Sequence, residues 1–353
     1  MGSFFNLTQE DLKNWLLNNN FNIVHSKQCF RNVYSLNLPP WTELGEGLPL
    51  GLQEALIDNF SFKDIELDSF VISKDGSTKF LFKLEDGNFI ESVAIPESKR
   101  ITVCISSQVG CRQGCKFCAT SKLGLKRSLT VSEMVSQVWM IKQWILTQSE
   151  HPFLSLKHLP LSNIVFMGMG EPLDNIDNVY KAINIFTDEF GFNFSLKRIS
   201  LSTAGHVPGL LKMIDLIPNL PIAISLHEVD DYRRATIMPI AKKYSIEEIL
   251  EAIKKIESVS KNEVLIQYVL IKDFNDSFDH AEKLAHLLKG RRVKINLIPF
   301  NENSFCDFKT VEESHMIEFS KILFMRGFRV MIRFSKGADI SGACGQLSAK
   351  KTL

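Results

Sequence analysis

Between residues 101 and 333, short runs rich in Val, Ile and Leu alternate with longer segments of helical periodicity. The runs fall at 101–105, 163–167, 198–202, 221–225, 264–271, 293–298 and 329–333. Short strands separated by helices do not pair as hairpins, so the alternation predicts a parallel sheet, open or closed into a barrel. Three helices carry an S/T-x-x-E start signal, at Thr130-Val-Ser-Glu133, Ser245-Ile-Glu-Glu248 and Thr310-Val-Glu-Glu313. There the hydroxyl and the carboxylate satisfy each other's backbone N–H groups. Ligands of such sheets gather beyond the C-terminal ends of the strands. What stands at those ends is therefore informative: a cysteine loop, then Met167-Gly-Met-Gly-Glu-Pro-Leu173, Ser202-Thr-Ala-Gly205, Ser225-Leu-His227 and Pro299-Phe-Asn301. Singly, Gly168-Met-Gly170 is a weak phosphate-loop mimic and His227 reads as a structural histidine. Together they describe one rim suited to a polar, nucleotide-like ligand.

The cysteine loop is the chemical centre of that rim. Cys111, Cys115 and Cys118 stand in a C-x3-C-x2-C spacing directly after the first strand. Thiolates suit iron–sulfur clusters, zinc and copper(I), and Gly110 and Gly114 allow the tight backbone that aims three sulfurs at one place. A four-iron cubane usually takes four thiolates, so three leave one iron open. The alternative is structural zinc with its fourth ligand from Cys344 or a histidine. No second C-x2-C pair supports that alternative. Cys104 lies on the strand feeding the loop, and Cys344 sits among glycines near the C-terminus, where a mobile thiol can act as a nucleophile or exchange disulfides. The plain reading is a buried thiol at Cys104 and an incidental one at Cys344. Cys29 and Cys306 read as small apolar fillers.

Residues 1–60 read as a small helical unit opened by a Thr8 cap, with Pro39, Pro40, Pro49, Gly45, Gly47 and Gly51 as turn punctuation. Over 61–97 the period becomes two, and Glu85-Asp-Gly-Asn88 marks a hairpin in a β extension, with an earlier turn at Asp75-Gly76. Glu91 falls inside the second strand of that hairpin, where alternation predicts a solvent-facing carboxylate. Residues 98–353 form the expected main domain.

No apolar run approaches a membrane span and no leader pattern opens the chain, which predicts a cytoplasmic protein. Seven cysteines without a secretion signal point to thiol chemistry in a reducing compartment. Net charge is only +1, yet residues 1–100 hold 9 basic against 14 acidic side chains and residues 101–353 hold 32 against 26. A mildly basic main domain is compatible with an RNA substrate and does not require one.

The ordered set from Glu91-Ser-Val-Ala-Ile-Pro96 through Cys104-Ile-Ser-Ser-Gln-Val-Gly-Cys111, the three cysteines, the rim motifs and Ala343-Cys-Gly-Gln-Leu347 resembles one family. It is that of the RlmN/Cfr-type radical S-adenosylmethionine (SAM) methyltransferases of RNA adenosine. The resemblance implies an α/β fold, a partial (β/α) barrel with a small N-terminal helical domain and a β extension. It implies a [4Fe–4S] cluster on Cys111, Cys115 and Cys118, and SAM bound by Gly170, Glu171, Ser202, Ser225, Leu226, His227 and Asn301. Cys344 would carry the methyl group, Cys104 would release the product through a transient disulfide, and Glu91 would accept the ring proton. The resemblance also implies two SAM per turnover. The implied partners are 23S ribosomal RNA, transfer RNA as a further candidate, and a flavodoxin or ferredoxin as electron donor, for a monomeric enzyme. Gly170-Glu-Pro-Leu173 resembles the branch that methylates adenine C2; the C8-methylating resistance branch has Ala where Pro172 stands. Glu228, after Ser-Leu-His, departs from the small residue usual there. Two other readings remain: a different radical SAM reaction, which needs neither Cys104 nor Cys344, and a zinc-stabilised RNA-binding module.

Overall fold

The computed structural model describes residues 1–35, 47–147 and 160–349. The chain opens with β1 (Gly2–Ser3), then helices α1 (Gln9–Asn18), α2 (His25–Phe30) and α3 (Leu50–Asn59), and β2 (Phe60–Ser61) returns to pair in parallel with β1. Thr8 caps α1 as expected, accepting from the Asp11 N–H at 3.1 Å while Asp11 accepts from the Thr8 N–H at 2.9 Å. Pro39, Pro40 and Gly45 lie outside the described residues.

A three-stranded antiparallel meander follows: β3 (Ile65–Ile72), β4 (Thr78–Leu84) and β5 (Phe89–Glu97). Its turns contain Gly76 and Gly87 at φ of 87° and 79°, the left-handed conformation that makes Asp-Gly a hairpin signal. Next come β6 (Arg100–Cys104), the ribbon of β7 (Gln108–Gly110) and β8 (Leu125–Ser128) around α4 (Ala119–Lys122), and α5 (Val131–Thr147). The rest alternates: β9 (Leu161–Phe166), α6 (Ile176–Thr187), β10 (Ile199–Thr203), α7 (Val207–Leu216), β11 (Ile222–Ser225), α8 (Asp231–Ile237), α9 (Ile246–Val259), β12 (Val264–Leu270), α10 (Phe278–Leu287), β13 (Val293–Pro299), α11 (Glu313–Met325) and β14 (Arg329–Ile332).

One sheet contains ten of the strands, in the order β14-β13-β12-β11-β10-β9-β6-β5-β4-β3. From β6 to β14 neighbours are parallel, and β6 is the pivot, antiparallel to β5 on its other side. The expected β extension is thus continuous with the parallel sheet, and β3 and β14 are its free edges. Helices α5, α6, α7 and α9 pack in series and α10 packs on α11, their apolar faces sharing one core with the strands.

The N-terminal helices join that same core. Phe4, Phe5, Phe30, Tyr34 and Phe62 form an aromatic cluster, and Phe5 meets Trp139 of α5 at 5.5 Å between ring centroids. Trp139 Nε1 donates to the Val33 carbonyl at 2.9 Å and Lys142 Nζ to that of Tyr34 at 2.7 Å. Each fully buried Phe contributes on the order of 2 kcal/mol.

Two local expectations need correction. Thr130 and Ser245 close capping boxes on α5 and α9, but Thr310 does not cap α11. Its N–H is taken by the Glu302 carboxylate at 3.2 Å, and the helix begins after Glu312. Nor does Glu91 face solvent. Strand β5 is covered on both sides from Ile90 to Ile95, so alternation there does not report exposure.

Candidate active site

The three-cysteine loop is held by side chains and by backbone: Gln113 and Arg112 reach Asp174 at 2.9 and 3.3 Å, and Asn303 Nδ2 donates to the Phe117 carbonyl at 3.3 Å. Gly110 has φ 78°, and a Cβ there would lie 1.7 Å from the Gly124 carbonyl oxygen, so only glycine fits. The Cys111 N–H donates to that same oxygen at 3.0 Å. The Lys116 N–H reaches the Ile237 carbonyl at 2.9 Å, and Ala119 N–H reaches that of Gly345 at 2.7 Å, tying the loop to α8 and to the C-terminal segment.

All three thiols line one cavity with about 1030 Å³ of atom-free space, counting its open mouth. Burial pushes the Cys111 thiol up to about 12 and Cys115 well above its usual value, and the neighbouring thiols add to both. The Cys111 and Cys115 sulfurs are thus protonated until a cationic group draws off the protons. Among the described residues no three His, Cys, Asp or Glu side chains converge tightly enough for a single metal ion. The donor set is soft sulfur arranged around a wider space, and it fits a sulfur-ligated cluster.

The opposite wall comes from the strand ends. Gly168 and Gly170 admit no side chain: a Cβ would meet the Ile105 carbonyl at 2.7 Å and the Gln108 side chain at 2.6 Å. Glu171 is buried, its two oxygens accepting from the Leu173 N–H at 3.1 Å and the Ala204 N–H at 2.8 Å. Burial raises its carboxyl to about 7 against the pull of those two bonds. The Ser202 and Ser225 hydroxyls both donate to Gln267 Oε1, at 3.0 and 3.2 Å. His227 takes a left-handed backbone, φ 60°, fixed by Val269 N–H to its Nδ1 at 3.1 Å and by Asn275 Nδ2 to its carbonyl. Burial lowers its pKa to about 3; the ring is neutral, with Nε2 as its N–H. Asn301 lines the same cavity and donates to the Cys344 carbonyl at 3.0 Å. Leu226 does not reach the cavity; its side chain is buried, and its backbone N–H donates to Gln267. Glu228 is fully buried and pairs with Arg233 at 3.0 Å and with His280 at 3.7 Å, outside the cavity lining.

Cys344 lines this cavity and also a smaller pocket that it shares with Cys104. Burial pushes Cys104 up to about 12; Cys344 adds to the shift and Arg333 opposes it. Glu91 lines neither space. Its Oε1 is 3.1 Å from Lys79 Nζ, and its Oε2 accepts from the Ser348 and Ala349 N–H groups at 2.7 and 2.9 Å, anchoring the chain just beyond Cys344.

Three polar residues of the site lay hidden in the sequence. Gln267 is the one amide in the apolar run of β12 and bridges two predicted serines. Gln108 accepts the Glu171 N–H at 2.9 Å. Arg234 is fully buried, donating to the carbonyls of Ala204 at 2.7 Å, Leu226 at 3.0 Å and Ser225 at 3.2 Å, so one cation gathers two strand ends. Only Gln267, polar where its neighbours are not, left a trace that pattern reading can use.

The radical SAM superfamily profile matches residues 105–288. A probable dual-specificity RNA methyltransferase RlmN of Clostridium botulinum (strain Alaska E43 / Type E3) is 38% identical over 348 residues, covering 98% of this chain and 96% of that protein. The dual-specificity RNA methyltransferase RlmN of Geobacter sulfurreducens is 38% identical over 344 residues, covering 98% and 91%. A crystal structure of a radical SAM methyltransferase from Sphaerobacter thermophilus superposes with a TM-score of 0.91 at 34% identity, over 99% of this chain and all of that one. The cofactors of the superfamily, a [4Fe–4S] cluster and SAM, match the sulfur-lined cavity and its polar rim. With this sheet, this loop and these full-length relatives, the chain belongs to the radical SAM superfamily and, within it, to the RlmN family of RNA methyltransferases.

Proposed function

We propose that this chain methylates C2 of an adenosine in 23S ribosomal RNA, and in transfer RNA, with Cys344 as the carrier of the one-carbon unit. The observation that carries the reading is the position of Cys344 in the wall between two spaces, one bordered by Cys111, Cys115 and Cys118 and the other by Cys104. When bound, the cluster and SAM supply an electron, an electrophilic methyl and a hydrogen-abstracting carbon radical. The three loop thiolates hold the cluster, and Gly170, Glu171, Ser202, Ser225, Leu226, His227 and Asn301 form the SAM side, Leu226 through its backbone.

Adenine C2 is not nucleophilic, so it cannot take a methyl directly from an electrophile. A carbon radical held on Cys344 can add to it, and the adduct becomes closed-shell by giving up one electron, which the bound cluster would accept. The Cys104 thiolate then attacks Cys344 Sγ. An S–S bond forms, the S–C bond breaks with its electron pair on carbon, and that carbon takes a proton to become the product methyl. Two thiols are needed because one carries the carbon and the other cuts it free. Glu91 accepts the ring proton once the RNA displaces the Ser348–Ala349 amides that occupy its Oε2. The C2 assignment rests on Gly170-Glu-Pro-Leu173.

The chain acts as a monomer, organised as residues 1–60, 61–97 and 98–353, with the helical unit lying against the RNA. A cytoplasmic setting with a reduced flavodoxin or ferredoxin fits seven free cysteines, and among the described residues no helix is long and apolar enough to cross a membrane.

The test is the mass of the Cys344 peptide from protein made with its cluster intact. A one-carbon adduct is expected, and none in Cys118→Ala. An unmodified Cys344 in iron-replete, SAM-exposed protein overturns the carrier mechanism.

A further inference from the structure

Arg333 and Lys336 follow β14 and border the small pocket between Cys104 and Cys344. Among the described residues neither side chain has an ion-pair or hydrogen-bond partner, although Arg333 is half-buried. The arginines at the other end of β14 behave differently: Arg326 pairs with Glu282 at 2.8 Å and Arg329 with Glu263 at 2.7 Å. A half-buried guanidinium without a counter-charge costs free energy unless a partner arrives.

The segment carrying these cations is fixed in place. Arg333 N–H donates to the Leu297 carbonyl at 2.9 Å, Gly337 N–H to Asp75 at 2.9 Å, and Gly342 N–H to the Gly337 carbonyl at 2.8 Å. Asp339 accepts from Ser73 Oγ at 2.6 Å and from the Lys74 N–H at 3.1 Å. Asp339 is therefore engaged with donors of the β3–β4 turn and Asp75 with the Gly337 and Ser77 N–H groups, and neither pairs with Arg333 or Lys336. Apart from Ser335, the remaining wall is apolar, chiefly Ile95, Val165, Met167, Ile298 and Leu347. An apolar wall with two unmatched cations at its edge has the chemistry of a nucleotide seat: base against the wall, phosphate on the cations. An enzyme acting on a ring atom must take the base out of its stack, and phosphate contacts then fix its register.

We propose that Arg333 and Lys336 seat the phosphodiester adjoining the unstacked target adenosine, whose base lies against the apolar wall beside Cys344. This rests on the RNA methyltransferase reading and adds where the RNA backbone is gripped. The competing use of Arg333 is as counter-charge to the Cys104 thiolate.

The test measures binding of a ribosomal RNA fragment with an unpaired adenosine across a salt series. Wild type, Arg333→Met, Lys336→Met, Arg333→Lys and, as a remote control, Arg326→Met are compared, with iron content and melting temperature checked for each. Methylation of the fragment by wild type is scored separately. A fragment that binds but is never methylated counts against the enzymatic reading, while the slopes still decide the seat. Loss of one phosphate contact to single-stranded RNA makes the log K against log salt slope shallower by about 0.7. That change is expected for Arg333→Met and Lys336→Met, with recovery in Arg333→Lys and none in Arg326→Met. Wild-type slopes in both Met variants overturn the proposal. So does an equal loss in Arg326→Met, which would mark diffuse attraction. An intact slope in Arg333→Met with slower alkylation of Cys104 assigns the residue to the thiolate and likewise overturns the phosphate seat.

Discussion

In the proposed SAM site, Glu171 would tie cofactor binding to pH. Burial holds its carboxyl at about 7, above the usual 4.5. A folded value above the unfolded one favours the neutral acid. Its contribution to stability is therefore complete below about 4.5 and declines as pH rises through about 7. Ionisation is also what a cationic ammonium ligand requires. SAM affinity of the cluster-free protein should thus strengthen as pH rises from 6 to 8, and Glu171→Gln should bind weakly with no such step. Equilibrium dialysis across that range checks it, and a parallel rise in both proteins refutes it. The residues of this site differed in how far the sequence announced them. Thiols, glycines and rim serines carry their chemistry in their names and spacing. Arg234 and Arg333 do not: one sits in an ordinary amphipathic helix and the other follows an edge strand, and only packing shows that the first is buried and the second unmatched.

At the scale of elements, the strands of the parallel sheet were legible because β-branched runs bounded by polar ends leave little freedom of placement. The exceptions have physical causes. Thr310 lost its cap because Glu302 claimed its N–H, a contact eight residues distant that a four-residue motif cannot report. Glu91 was hidden because β5 is covered on both faces. Where a capping box does form, it has a measurable value. Ser245 accepts from the Glu248 N–H at 3.2 Å while Glu248 accepts from the Ser245 N–H at 2.7 Å. Ser245→Ala should cost about 1 kcal/mol, read as a lower urea midpoint at unchanged slope. An unchanged midpoint would show that α9 is held by its buried face alone.

At the scale of the whole molecule, the N-terminal helices and the barrel share one core, through Phe5 on Trp139 and Lys142 on the Tyr34 carbonyl. Removing residues 1–60 would uncover Trp139 and Phe62 together. The truncated chain is expected to melt at least 10 °C lower or to be recovered insoluble, as thermal denaturation and soluble yield would show. A truncated chain with wild-type melting temperature and lost RNA affinity would mean that the unit serves recognition alone. The sequence marked this unit off by its composition, and what it could not convey was that its aromatic residues complete the core of another part of the chain.

The bonds from Ala119 to Gly345 and from Thr120 Oγ1 to the Leu347 carbonyl, at 2.7 Å each, join the residues just after Cys118 to those just after Cys344. Damage at one end of that splint is felt at the other. Loosening of the cysteine loop would therefore also loosen the backbone that holds Cys344.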